Sequence, residues 1–237
     1  VSKHYSLEHY ARPDVVSAYD EDRYGGPAGQ WLLARETLLY ASLVPPCATL
    51  LDLGTGTGKL LHGLREAATR RVGVDASLPM LRAARARVPD AWFVVADAHR
   101  LPFKPAGFEW VVSSRVLLHV RCWPAVAGEI CSVAATGVVL DVPTITSFAP
   151  LEAVVRRVLR LPQTYRCFRL AHLRRVFDQH GFCQDASRKD AFFPYRLHRT
   201  LKNPTVSAWL EGAALALRLT KLWGNPAILR FRRSQPS

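Results

Sequence analysis

One short stretch carries the clearest chemistry in this chain. In Leu50-Leu51-Asp52-Leu53-Gly54-Thr55-Gly56-Thr57-Gly58-Lys59-Leu60 an apolar run meets three alternate glycines and then a helical pattern. Glycines at such a turn let the backbone bend sharply and approach a ligand, with a helix N-terminus behind them. In an open α/β sheet the loop at the carboxyl end of the first strand is where a nucleotide sits, so a nucleoside cofactor is expected. Spacing separates two cofactor classes: a dinucleotide site calls for GxGxxG, but counting from Gly54 puts Lys59 in the third glycine's place, and the chain reads DxGxGxG instead. Two further acids, Asp75 in VGVDAS and Asp97 in VVADAHRLPF, close later apolar runs. A carboxylate is suited to a pair of vicinal hydroxyls, and its charged form makes the stronger hydrogen bonds. The competing role for each is a helix cap.

The elements that must position these residues follow from the pattern of the chain. From about residue 48, short apolar runs alternate with helical patterns, which is the signature of βα units and a parallel sheet. Strands are predicted at Thr49–Leu53, Arg71–Asp75, Ala91–Ala96, Phe108–Ser113 and Gly137–Asp141, with helices including Lys59–Ala68, Leu78–Arg87 and Trp123–Ala134 as crossovers. Residues 1–45 read as a helical lid with Trp31, Leu32, Leu38, Leu39 and Leu43 on one face. Beyond the fifth strand, Leu151, Val154, Val155, Val158 and Leu159 recur at helical spacing opposite Arg156, Arg157 and Arg160, and a helix at Leu170–His180 ends at Gly181. Phe182–Tyr195 then suggests a strand, Thr205–Leu222 an apolar helix and Pro226–Arg232 a last strand. One domain over 1–237 is expected: a lid to residue 45, a cofactor-binding core over 46–142, and an acceptor-side lid with the last strands and a basic segment over 143–237.

The DxGxGxG loop, Asp75 and Asp97, in order and each at a predicted strand end, resemble class I S-adenosylmethionine-dependent methyltransferases, closest to the small-molecule group that includes the ubiquinone/menaquinone C-methyltransferases. The resemblance runs from about Tyr19 to Gly181. It implies a Rossmann-like, seven-stranded, mostly parallel sheet with helices on both faces, and S-adenosyl-L-methionine as cofactor. It further implies that Asp52, Gly54, Gly56 and Gly58, with Thr55, surround the methionine portion. Asp75, next to Ala76, would take the ribose hydroxyls, and Asp97 with the Ala98 amide would read the adenine edge. Met80, the only methionine, would pack near the ring. In FEWVVSSRVLLHV, Ser113 and Ser114 would end the fourth strand beside the acceptor, and His119 would be either a general base, as an imidazole with an ordinary pKa near 6.5 allows, or a structural histidine. Tyr19, Arg23 and Tyr24 on one side, and Tyr165, Arg166 and His172 on the other, are lid candidates, with Tyr19 and Arg23 placed to cover the cofactor. Members of that family often carry Pro-Gly-Gly before the fifth strand, where this chain has Ala134-Ala135-Thr136-Gly137. No carboxylate pattern marks a metal-dependent catechol-type site and no [ND]-P-P-[YFW] follows the fourth strand, so in-line transfer without a metal is expected.

Composition bounds the rest. A chain of 237 residues, 49% apolar, fits one domain that needs no covalent staple. Cys47, Cys122, Cys131, Cys167 and Cys183 are an odd number, lie far apart and form no CxxC pair, so reduced thiols of a cytoplasmic protein are expected, with neither a zinc site nor a disulfide framework. No apolar run approaches a membrane span or a signal sequence. The net charge of +13 is uneven: residues 1–150 hold 15 Lys and Arg against 14 Asp and Glu, residues 151–237 hold 17 against 5. Such a field attracts phosphorylated substrates, acidic carriers, anionic membranes or nucleic acid. Yet 26 of the 32 basic residues are Arg, as a GC-rich genome gives, and many would only solvate helix faces.

The reading is thus an enzyme moving a methyl group to an O, N or C nucleophile of a small molecule, anionic or apolar. An RNA methyltransferase and a noncatalytic binding protein are the alternatives. Trp209, Leu210, Leu215, Leu217, Leu219 and Trp223 are read as core or, less commonly for such residues, as the wall of an apolar pocket. The basic-aromatic cluster of Tyr195, Arg196, His198 and Arg199 is read as structural.

Overall fold

The alternation from residue 48 onward folds into a seven-stranded sheet. The computed structural model of the chain describes residues 12–147, Val154 and residues 166–234. Two helices come first, α1 (Pro13–Tyr24) and α2 (Gly26–Ala41). Then follow β1 (Cys47–Leu53), α3 (Lys59–Gly63), β2 (Ala68–Asp75), α4 (Leu78–Arg87), β3 (Trp92–Val95), β4 (Phe108–Ser113), α5 (Trp123–Val133) and β5 (Ala134–Val142). The C-terminal part adds α6 (Leu170–Gln179), β6 (Phe182–Ala191), α7 (Tyr195–Leu201), α8 (Pro204–Ala216), α9 (Leu219–Trp223) and β7 (Asn225–Arg233).

The strand order is β3-β2-β1-β4-β5-β7-β6. β1 to β5 run parallel, and β7 inserts antiparallel between β5 and β6. Because the pleat sends successive side chains to opposite faces, β1 builds two cores at once. Leu51 and Leu53 join Val111, Val138 and Leu140 beneath α5 and α6, where Phe177 and Phe231 stack with ring centroids 4.1 Å apart. Leu50 joins Val112, Val139 and Ile228 beneath Tyr40, Leu43 and Leu61. Each such fully buried side chain contributes roughly 1.5–3 kcal/mol. With β2 on one side of β1 and β4 on the other, the connections leave in opposite directions and a crevice opens at the strand ends, where Leu53 is in register with both Val74 and Ser113.

Several boundaries differ from expectation. The helix expected over Lys59–Ala68 stops at Gly63, and Ala68 already pairs with Cys47 in the sheet. Gly63 lies so close to α2 that a Cβ there would sit 2.4 Å from Thr37 Cγ2, so tight packing against the lid wins over helix continuation. The strand expected over Phe182–Tyr195 ends at Ala191, and Pro194 starts α7. The apolar helix expected over Thr205–Leu222 breaks at Arg218, whose φ of +59° is left-handed. In the lid, α2 buries Ala28, Leu32, Glu36 and Tyr40, spaced by four, whereas Leu38 faces outward. The helix expected around Leu151–Leu159 lies outside the described residues apart from Val154, which is helical and exposed, and Tyr165 lies outside them altogether.

Candidate active site

The crevice at the ends of β1, β2 and β4 holds a cavity of about 190 Å³. Its walls include Gly54 and Gly56 of the turn after β1, Asp75, Ala76 and Met80 around the β2–α4 turn, Asp97, Ala98 and His99 after β3, and His119 and Val120 after β4; Tyr19 and Arg23 of α1 close one side. A smaller cavity on the far side of the glycine turn is lined by Asp52, Thr55, Thr57, Lys59, Tyr24 and Glu36, and shares Tyr19, Arg23, Ser114 and Arg115 with the first.

The turn is shaped by conformations that favour glycine. Gly54 has φ +70°, and its N–H donates to the Val74 carbonyl at 2.8 Å; a Cβ there would lie 2.2 Å from Val116 Cγ2. Gly58, at φ +76°, packs against Ala84 of α4 and does not reach the cavity. Asp75 ties the turn down: its Oδ2 accepts from the Gly56 N–H at 3.0 Å and its Oδ1 from the Ser77 N–H at 2.9 Å. The N-cap of α4 is Ser77, which accepts from the Met80 N–H, so Asp75 does not cap that helix. Burial pushes the Asp75 carboxyl up from its ordinary value, and the Ser77, Gly56 and Ala76 N–H groups oppose the shift. Each carboxylate oxygen keeps a lone pair beyond those already used. Asp97 caps no helix either; its Oδ1 accepts from the His99 N–H and contacts His99 Nδ1, at 2.9 and 2.8 Å, in a local turn.

Asp52 is buried behind the turn, where Thr55 Oγ1 donates to its Oδ2 at 2.7 Å. Burial first, and the nearby Asp75 charge to a lesser degree, push its pKa up to about 7 against the Thr55 hydrogen bond. Ser113 does not face the cavity: its hydroxyl is buried and donates to the Leu53 carbonyl at 3.1 Å, while its neighbour Ser114 takes the wall position. His119 lines the cavity, with its backbone N–H bonded to the Val116 carbonyl at 2.9 Å. Of the other lid candidates, Arg166 donates to the Val120 and Arg121 carbonyls and His172 packs edge-on against Trp123, 5.2 Å between centroids; neither lines the cavity.

The lid is latched by charge. Asp20 of α1 accepts from the Thr57 hydroxyl at 2.7 Å, pairs with Lys59 at 3.0 Å and with Arg87, and so clamps α1 onto the glycine turn. Burial works against the Asp20 charge, but Thr57, Lys59 and Arg87 outweigh it and hold its pKa below the ordinary value. On the same helix, the Arg23 guanidinium lies over the Tyr19 ring, 4.8 Å from its centroid.

The site residues that sequence reasoning missed are Arg115 and Glu36. Arg115 follows β4 with φ +58°, pairs with Glu36 of α2 and donates to the Tyr24 hydroxyl. Its backbone N–H donates to Asp141 Oδ1 at 2.6 Å, and burial pushes that carboxyl up to about 6. Burial disfavours the Arg115 charge, but Glu36 and Tyr24 more than offset it and keep the guanidinium firmly protonated. Glu36 also accepts from Tyr24 Oη at 2.8 Å and from Ser114 Oγ at 2.9 Å. The available signal was an acid at the centre of the Ala28, Leu32, Glu36, Tyr40 stripe, where a charge needs a buried partner.

Residues 50–137 match the family model for a methyltransferase domain. Two curated relatives are demethylmenaquinone methyltransferases. The one from Roseiflexus sp. (strain RS-1) is 36% identical over 107 residues, 44% of this chain and 45% of that protein. The one from Beutenbergia cavernae is 35% identical over 145 residues, 60% of each. The chain thus spans about half the length of the curated relatives it matches. Among solved structures, magnesium protoporphyrin IX methyltransferase from Synechocystis PCC 6803 with bound S-adenosylhomocysteine superposes with a TM-score of 0.64 at 17% identity, over 94% of this chain and 98% of that one. The likeness is one of fold.

Proposed function

We propose, on the premise that residues 50–137 form a methyltransferase domain, that this chain transfers a methyl group from S-adenosylmethionine to a small, largely apolar acceptor of the quinone or lipid-precursor kind. The observation that carries this reading is the half-buried Asp75 carboxyl, tied to the glycine turn by the Gly56 N–H and to its own β2–α4 turn by the Ser77 N–H, and facing a cavity at the sheet's switch point.

The residues present fit the cofactor. Asp75 has acceptor capacity left for two hydroxyls, Met80, Ala76 and Ala98 offer an apolar wall for a base, and Asp97 with Ala98 borders it. Asp52, Thr55, Arg23 and Arg115 bring both signs of charge to the glycine turn, as an amino-acid end requires. The cofactor supplies a methyl on a sulfonium that is already electrophilic, so the protein's task is alignment and exclusion of water. Tyr19 and Arg23 would cover the cavity, and Ser114, His119 and Val120 would hold the acceptor. His119 is the group placed to take a proton from it.

The demethylmenaquinone methyltransferase relatives support the acceptor class. The basic C-terminal third gives little support to an RNA substrate, because much of it is used internally. Arg230 forks onto Asp185 at 2.8 and 2.9 Å, Arg232 pairs with the same carboxyl at 3.0 Å and Arg233 binds the Cys131 and Ala134 carbonyls. Among the described residues no helix is long and apolar enough to cross a membrane.

Calorimetry of S-adenosylmethionine and S-adenosylhomocysteine on the wild type and on Asp75→Ala tests the cofactor assignment. Micromolar binding that the variant loses is expected, and a folded wild type that binds neither would sink it. With a demethylated quinol as acceptor, His119→Ala is expected to lower turnover while leaving cofactor binding intact.

A further inference from the structure

Helix α8 is built inside out. Its buried face carries Ser207, Glu211 and Ala214, spaced by four and three, while its outer face presents Trp209, 70% exposed. The inversion has a local cause. Glu211 accepts from the Phe192 and Phe193 N–H groups at 2.8 and 3.0 Å and pairs with the buried His198 at 3.0 Å, so the polar side of the helix is needed inside. Further exposed apolar side chains follow at Leu215 and Leu217, 60% and 69% exposed, and at Leu222 and Trp223 of α9. Of the six residues expected to be core or the wall of a pocket, Trp209, Leu215, Leu217 and Trp223 are exposed and Leu210 and Leu219 are half-buried. A water-facing helix normally carries charge on its outer side, yet Glu211 is the only charged residue of α8.

The stretch of chain that carries this surface holds exposed charge of one sign. Over residues 195–223 the exposed charges include Arg196, Lys202, Arg218 and Lys221, and the single acid of the stretch, Glu211, is buried. Exposed tryptophan and leucine interspersed with exposed cations, in a stretch with no exposed carboxylate of its own, match the interface of an anionic bilayer: the rings enter the headgroup boundary and the cations stay at the phosphates. An apolar patch awaiting a protein partner would need no such one-sided charge.

We propose that the outer surface of α8 and α9 docks this protein peripherally on an anionic lipid membrane. The surface connects to the lid through α7: Arg199 donates to the Asp22 carbonyl of α1, and Arg115 lies over the Tyr195 ring, 5.5 Å from its centroid. Docking therefore sets the lid helix that carries Tyr19 and Arg23 near the bilayer, where an apolar acceptor would be dissolved. The docking itself does not depend on what the acceptor is.

Co-sedimentation of the full chain with vesicles of phosphatidylcholine alone, or with about a third phosphatidylglycerol, tests the proposal. Binding to the anionic vesicles is expected, weakened in about 0.5 M salt (roughly half the usual screening length). Arg218→Glu with Lys221→Glu should reduce it at least tenfold, on the basis of roughly fivefold per cation. Trp209→Ser with Leu217→Ser should reduce it as much, with an unchanged circular dichroism spectrum showing the fold intact. Anionic binding that survives the Trp209→Ser, Leu217→Ser pair would overturn the proposal, as would no binding by the wild type. A solution dimer dissolved by that same pair of substitutions would also overturn it, by assigning the surface to a second copy of the chain.

Discussion

The two walls of the cavity are held by different means. On the sheet side, the contacts are between backbone N–H groups and a carboxylate close in sequence: Gly56 and Asp75 are 19 positions apart, Ser77 and Asp75 two. On the lid side, side chains reach across the chain, with Arg115 and Glu36 separated by 79 positions and Arg115 and Tyr24 by 91. The first wall is rigid by local geometry and should fail by misshaping the site. The second is assembled by burial and pairing, and should fail by loosening the fold.

Four substitutions sharpen that contrast. The largest effect is expected for Gly54→Ala, because φ +70° and a Cβ 2.2 Å from Val116 Cγ2 force the turn to move. S-adenosylhomocysteine binding should weaken roughly a thousandfold, the equivalent of about 4 kcal/mol. Calorimetry that found binding within a few-fold of wild type would mean that the turn does not shape the site.

Next comes Glu36→Gln, which leaves the Arg115 charge in place without its ionic partner. Removing one member of a buried pair costs about 3 kcal/mol, or roughly 10 °C in Tm for a chain of this size. A calorimetric scan with no shift would remove the lid wall's energetic distinction. Glu36→Leu combined with Arg115→Met should recover much of the loss.

Asp52→Asn tests the pH dependence. With a folded pKa of about 7 against an ordinary 3.8, the folded chain holds a proton through that window that the unfolded chain has released. Stability from this group is therefore lost as pH rises from 4 to 7. The variant should gain on wild type over that range by up to about 1 kcal/mol per pH unit. Urea midpoints at pH 4.5 and 7 measure it, and a constant difference would contradict the raised pKa.

The smallest effect belongs to Asp20→Ala. Its ion pairs with Lys59 and Arg87 are partly exposed, so its loss should cost less than about 1 kcal/mol of stability. Cofactor affinity should fall a few-fold as α1 loosens from the glycine turn, and titration shows whether it does.

The difference in sequence separation also explains what was legible. The glycine turn, Asp75 and Asp97 could be read because each sits at the end of an apolar run, and the parallel sheet brings strand ends to one edge whatever the remaining sequence does. The bounds of α4 and β4 could be read for a similar reason: Ser77 caps one, and Phe108, Trp110, Val111 and Val112 fill the other up to Ser113. Gly58 and Ser113 share that neighbourhood but turn away from the cavity, into Ala84 and the Leu53 carbonyl, because a local rotation rather than a motif sets their direction.

By itself, then, the sequence determined the order of strands and helices from β1 to β5, the glycine turn and the acids around it, since these depend on period and on near neighbours. Only the tertiary structure decided that Arg115 and Glu36 meet behind Tyr24, that α3 ends at Gly63 against Thr37, and that α8 turns Glu211 inward and Trp209 outward. The physical reason is common to all three. Each reflects contact between residues distant in the chain: close packing at Gly63, and at Glu36 and Glu211 a charged group that takes the interior because a partner brought from elsewhere satisfies it.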